Sequence, residues 1–355
     1  MPEEHRRRRR SPKPLGETFD IGKKPLRTLH RGGGQDPMSA LVLSGGGARG
    51  AYECGVYHAL HENGVRPGVL VGTSVGAVNA TAIAQGMPPE QLRELWLDLS
   101  HPDLWGLPAR LRRLRPLMGN AHTFRNRLDL WNFFGWNSLF DTSALLETLR
   151  KAFDIEKIRR SKARLFVTAV DIISGESALF TNKDILPEHV LASSSIPIAF
   201  PWTEIEGHLF WDGGLLANIP PLKIAIDADR RVTDIYVVKL FPRVAKRPDG
   251  LLECIGRTIE LVMQGVLNND IKQVEFINQL IRKGAIRGVY RPVNLHTVEF
   301  HEPFNALSVL DFSRRHIERL IDQGYRDTQR LFARASEARE ARRRLRSSRS
   351  SAAAK

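Results

Sequence analysis

Apolar residues come in short runs along the first two thirds of the chain, most of them followed by a stretch with helical spacing. Residues 39–43, 69–71, 165–170, 177–181, 209–211 and 234–240 read as strands. Helical patterns cover 51–63 and 77–84 and resume after Pro220. This alternation from 39 to 240 predicts an α/β fold: a mainly parallel central sheet covered by helices on both faces. Beyond Pro248 the pattern predicts a long helix to about Lys283, a strand-like piece over 289–300, and a helix from Ser313 to about Arg334. There is no internal repeat. No apolar run approaches the ~18 residues of a membrane span, and the arginine-rich N-terminus lacks the apolar stretch of a secretory signal.

Candidate chemistry collects at three strand ends. The first is Gly45-Gly46-Gly47-Ala48-Arg49-Gly50, between a strand and a helix. It satisfies G-x-G-x-x-G, the dinucleotide fingerprint, but the next strand, 69–71, ends without the carboxylate that would hold a ribose. What remains is a loop whose amides turn inward at a helix N-terminus and suit a phosphate or the oxyanion of a tetrahedral intermediate. Arg49 either adds positive charge there or lies along the helix surface. The second is Gly72-Thr73-Ser74-Val75-Gly76, a G-x-S-x-G turn from strand to helix, which exposes a serine hydroxyl above the sheet edge. Ser74 is the first candidate nucleophile, and Gly72 and Gly76 allow the tight turn.

A serine hydroxyl needs a base. Of the eleven histidines, only His208 lies near a candidate segment, with His296 and His301 as later fallbacks. The third segment, Asp212-Gly213-Gly214, ends a short apolar strand at the sheet edge where α/β proteins place their sites. Asp212 is the alternative base. Taken alone, Asp-Gly is a common turn dipeptide; after the other two segments it points to chemistry.

Together these residues resemble the patatin-like phospholipases of the bacterial type. That family orders a glycine-rich loop, a G-x-S-x-G elbow and an Asp-Gly-Gly or Asp-Gly-Ala motif as this chain does. Ala192-Ser193-Ser194-Ser195-Ile196-Pro197 with Phe200-Pro201, and Asn218-Ile219-Pro220, also fit. The resemblance covers roughly residues 38–242. Ser44 departs from the plant members, which carry an aspartate there. The resemblance implies a three-layer patatin-like fold and a Ser74–Asp212 dyad without histidine. It further implies an oxyanion hole at Gly45 to Gly50, and neither metal nor cofactor. Its implied activity is a serine acyl hydrolase cleaving fatty-acyl esters of phospholipids and other lipids. An ordinary aspartate, with pKa near ~4, is a poor base for an alcohol, so the mechanism leans on the oxyanion side. Transfer of the acyl group to an acceptor other than water, or a lipid-binding scaffold with little turnover, are the alternatives.

Composition adds partners. The net charge of +14 invites a nucleic-acid reading, but residues 1–37 hold ten Lys/Arg against five Asp/Glu, and 334–355 hold eight against two. The excess therefore sits in two low-complexity tails, which read as disordered and suit an anionic membrane surface or simple solubility; no specific nucleic-acid motif is present. The body divides into a catalytic domain over 38–242 and a mostly helical extension over 243–333. Within the domain, an insert at 104–140 follows four arginines (Arg110, Arg112, Arg113, Arg115) with an aromatic cluster. Trp105, Trp131, Phe133, Phe134 and Trp136 are its candidate lipid contacts. The insert reads equally as a lid or membrane flap and as a local core. Cys54 and Cys254 sit among apolar neighbours and suggest no disulfide framework. The expected location is the bacterial cytoplasm, with peripheral membrane contact.

Overall fold

In a computed structural model, the structure describes residues 36–99, 138, 142–241, 247–248, 250–285, 291–302, 309 and 311–353. Most of the N-terminal tail and, but for Ser138, the 104–140 insert with its five aromatic candidates lie outside the described residues.

One eight-stranded sheet organises the chain. Its strands are β1 (Met38–Leu43), β2 (Pro67–Thr73), β3 (Arg164–Asp171), β4 (Ser177–Thr181), β5 (Thr203–Ile205), β6 (His208–Asp212), β7 (Val232–Lys239) and β8 (Asn294–Glu299). They run in the order β5-β6-β3-β2-β1-β7-β8, with β4 paired to β3 beside this path. The pairings β3-β2-β1-β7-β8 are parallel, as predicted. The end formed by β4, β5 and β6 is antiparallel. Strand β5 has only three residues, too few to leave an apolar pattern in the sequence.

The central strands are apolar along their length because both faces are buried. Leu41 and Leu43 of β1, Leu70 of β2 and Val238 of β7 face one core. That core is covered by α1 (Gly50–Glu62), α2 (Val75–Ala84), α3 (Pro89–Leu99), α4 (Ser143–Ala152) and α6 (Pro187–Ser193). The short α5 (Ile155–Arg159) precedes β3. Ala40 and Val42, Val69 and Val71, and Ile235 and Val237 face the other core. The short α7 (Gly214–Ala217) leads to that side, which is closed by α8 (Leu222–Ala228) and α9 (Leu251–Arg282) through Leu222, Ala225 and Val274. The result is three layers.

The C-terminal extension is built into this body. Strand β8 continues the parallel sheet beside β7, and α9 lies on one face. Helix α10 (Arg314–Ala353) packs on the other, along α1. The crossing of α1 and α10 is close because two glycines meet it from opposite sides. A Cβ on Gly55 would stand 1.9 Å from the Ile321 carbonyl oxygen, and one on Gly324 would stand 2.0 Å from that of Tyr52. The end expected at Arg334 does not occur; the helix runs on to Ala353. After Gly324 the sequence contains neither glycine nor proline and is rich in Ala and Arg, both strong helix formers.

Candidate active site

Strand β2 delivers the chain to Ser74, which sits at φ 57° and ψ −129° before α2 begins. A serine in the left-handed region costs about 1–3 kcal/mol and persists only where its surroundings impose it. Here the turn leaves no space for relaxation. A Cβ on Gly72 would lie 2.3 Å from the Gly76 carbonyl oxygen, and one on Gly76 would lie 2.6 Å from that of Leu43. The Ser74 amide donates to Ser193 Oγ at 2.8 Å, which ties the strained residue to the end of α6.

The Ser74 hydroxyl faces the carboxylate of Asp212 and favours its ionised form. Asp212 ends β6, opposite Ala169 of β3. Its amide donates to the Ser195 carbonyl at 3.0 Å, and its Oδ1 accepts from the Gly214 amide at 2.7 Å. Only 5% of Asp212 is exposed. Burial disfavours the ionised carboxyl and outweighs the effect of Ser74 and Gly214, pushing the group up to about 7. The weak-base problem expected of an ordinary aspartate is thereby reduced.

The glycine loop passes beside both groups. A Cβ on Gly45 would be 3.0 Å from Ser74 Cβ and 2.5 Å from Asn218 Oδ1. Its six residues divide by what their amides do. Gly45 donates to the Asn218 carbonyl at 2.9 Å and Arg49 to that of Gly46 at 3.2 Å. Gly50 closes the short 3-10 turn of residues 47–49. The amides of Gly46, Gly47 and Ala48 have no protein acceptor among the described residues, as expected at a helix start. Arg49 neither lines the site nor lies on the surface. It is buried, donates from Nη1 to the Leu240 carbonyl at 3.1 Å, and lies 5.0 Å and 5.5 Å from the ring centres of Phe300 and Phe241.

A buried polar chain holds the loop to the nucleophile's helix. Glu53 Oε1 accepts from the Ser44 amide at 2.9 Å, and its Oε2 accepts from Asn79 Nδ2 at 2.9 Å. The same Asn79 nitrogen donates to the Gly50 carbonyl at 3.0 Å, while Trp96 Nε1 donates to Asn79 Oδ1 at 2.8 Å. Burial raises Glu53 well above the usual carboxylate range. Ser44, the departure from the plant pattern, accepts from the Leu240 amide through its Oγ at 3.2 Å.

His208 stands elsewhere. Its Nδ1 meets Asp171 Oδ2 at 2.8 Å, and it lies four residues from Asp212 along β6, about 13 Å at strand spacing. His296 pairs with Asp234 through its Nε2 at 2.8 Å, on β8.

The profile of the family described as patatin-like phospholipase matches residues 41–226, more than half of the chain. The chain belongs to that family. An uncharacterised NTE-family protein of Mycobacterium tuberculosis is 30% identical over 218 residues, 60% of this chain and 32% of its own length. A cGAMP-activated phospholipase of Pseudomonas aeruginosa is 28% identical over 201 residues, covering 51% of this chain and 54% of that protein. The chain thus spans about a third to a half of these curated relatives. Among solved structures, VipD from Legionella pneumophila aligns with 84% of this chain and 67% of its own at a TM-score of 0.40 and 15% identity.

Within this patatin-like protein, all three motif segments fall inside the matched region, and of the named walls around Ser74 only Phe312 falls outside it. A cavity of about 30 Å³ is lined by Ser74, Gly47, Trp96, Leu145, Phe200 and Phe312 among others. Phe312 comes from the C-terminal extension, as does Val309, whose carbonyl oxygen would lie 2.2 Å from a Cβ on Gly47. Sequence reading gave no role to Ser193 or Asn218, although both sit in motifs it singled out. It passed over Glu53, Asn79 and Phe312 altogether. A glutamate on a helix whose neighbours are nearly all apolar or small was the available signal for Glu53.

Proposed function

We propose that this protein hydrolyses fatty-acyl esters of phospholipids and related lipids through Ser74 and Asp212. The observation that carries the reading is the elbow serine set beside a buried carboxylate pushed up to about 7, next to glycine-loop amides that have no protein acceptor among the described residues. Ser74 Oγ attacks the ester carbonyl carbon as its proton passes to Asp212. The carbonyl oxygen becomes an oxyanion facing the amides of Gly46 and Gly47, where one donor is typically worth about 3–4 kcal/mol of barrier. Collapse breaks the bond to the alcohol, which leaves with the proton from Asp212, and the acyl group stays on Ser74. Water then repeats the sequence: Asp212 takes its proton, the new oxyanion collapses, and Ser74 recovers its hydrogen as the fatty acid departs.

Access to such a substrate fits the charge distribution. The basic residues of 334–353 extend along the end of α10, and each Lys or Arg near an anionic leaflet contributes about 1 kcal/mol. Among the described residues no helix is long and apolar enough to cross a membrane. The test is fatty-acid release from anionic phospholipid vesicles by wild type, Ser74→Ala and Asp212→Asn. Loss of release in both variants is expected. Release that survives Asp212→Asn but not Ser74→Ala refutes the dyad.

A further inference from the structure

The cavity beside Ser74 has a chemical character that the hydrolase reading leaves unused. Among the described residues its walls are apolar apart from Ser74, Ser194 and Gly47, and Ser194 Oγ is already donating to the Val190 carbonyl at 3.1 Å. A phosphate or other charged headgroup inside it would be desolvated without a partner, which is costly. An alkyl chain would lose nothing. At about 30 Å³ the space is small, and a longer acyl chain entering it meets these walls.

The two aromatic walls differ in how they are held. Trp96 is locked by its hydrogen bond to Asn79 Oδ1 and by Gly50, where a Cβ would stand 2.8 Å from the indole ring. Phe312 stacks on it, rings 7° from parallel with centres 6.4 Å apart. A phenyl ring has no hydrogen-bonding group to fix it as the indole is fixed. It also lies outside residues 41–226, the part matched by the family.

Resting on the hydrolase reading, we propose that this cavity receives the substrate's acyl chain and that Phe312, stacked on Trp96, sets the chain length it accepts. Phe312 is a specificity residue supplied by the C-terminal extension. Selection among acyl chains is then a property of this chain and is separate from the motif residues that carry the reaction.

The test is kcat/KM for a series of p-nitrophenyl esters from acetate to palmitate, in wild type, Phe312→Ala and Phe312→Leu. The ratio of long-chain to short-chain turnover rises in Phe312→Ala by about fourfold for each methylene the vacated space admits. Phe312→Leu moves part of the way and carries the same test if the alanine variant does not fold. Calorimetric titration of saturated fatty acids into Ser74→Ala, with and without Phe312→Ala, reads the cavity without turnover and shifts toward longer chains. Ratios unchanged from wild type in both measurements overturn the proposal. No turnover by wild type, together with a shift in fatty-acid binding, refutes the hydrolase reading and leaves the assignment of the cavity standing.

Discussion

Lowering the pH from 8 to 5 should silence this protein well before it unfolds. Asp212 is pushed from 3.8 up to about 7 by burial, and in the proposed mechanism only its ionised form accepts the Ser74 proton. At pH 5 about 1% of such a group is ionised, so kcat/KM should fall about 100-fold from its plateau, with unit slope below the midpoint. An unshifted carboxyl with a pKa of 3.8 would still be about 90% ionised there, and activity would hardly change. The same shift appears in stability with a defined sign. Between about pH 4 and 7 the folded protein holds a proton that the unfolded chain has released. The associated stability is complete below pH 4 and is lost as pH rises through 7. Three pKa units correspond to about 4 kcal/mol. Asp212→Asn cannot ionise, so its melting temperature relative to wild type should climb from pH 5 to pH 8. The assay pairs a pH–rate profile on a soluble short-chain ester with thermal unfolding of both proteins across the same range. Glu53, the other buried carboxyl close to the elbow, is controlled by repeating the profile in Glu53→Gln, where the midpoint near 7 should stay. Activity at pH 5 within twofold of that at pH 8, in protein that remains folded, refutes the reasoning.

Three further outcomes follow from contacts already described. Glu53→Ala frees the Ser44 amide and Asn79 together, and a displacement of about 1 Å in the glycine loop can cost about 10²-fold; kcat should fall with KM little changed, and Glu53→Gln, which retains one acceptor, should recover part of it in the same steady-state assay. Ser193→Ala leaves the buried Ser74 amide without its acceptor and should cost about 1–3 kcal/mol, read as a lower urea midpoint. Gly324→Ala forces a methyl against the Tyr52 carbonyl and should cost at least about 1–3 kcal/mol by overpacking; because Gly55 opens the same crossing, the Gly55→Ala/Gly324→Ala double variant should lose less than the sum of the two.

Much of this architecture is legible in the chain because parallel strands buried on both faces leave apolar runs, and glycines mark where each must turn. The elbow at Ser74 and the stop at Asp212 announce themselves in this way. What stays hidden is contact across long sequence separation. Arg49 reads as a surface or site cation, yet Phe241 and Phe300 enclose it, and nothing near residue 49 encodes either ring. Phe312 is an isolated aromatic until the fold brings it over Trp96. The composition of 334–355 suggests a tail without order, although its Ala and Arg residues carry α10 on to Ala353. The basicity of Asp212 is invisible for a related reason, since it comes from burial and not from a neighbour in sequence.

The position of β7 limits how this protein can be divided. The family match ends at residue 226, but β7 begins at Val232 and forms the whole flank of β1 opposite β2. Cutting at the boundary of the match would bare the edge of β1, an unpaired six-residue strand of mostly apolar side chains in what had been the middle of the sheet. Such an edge recruits other strands. A fragment holding every motif residue would therefore be expected to precipitate when expressed. The smallest soluble unit of this chain should extend through β8 and α10, well past the last residue that identifies its family.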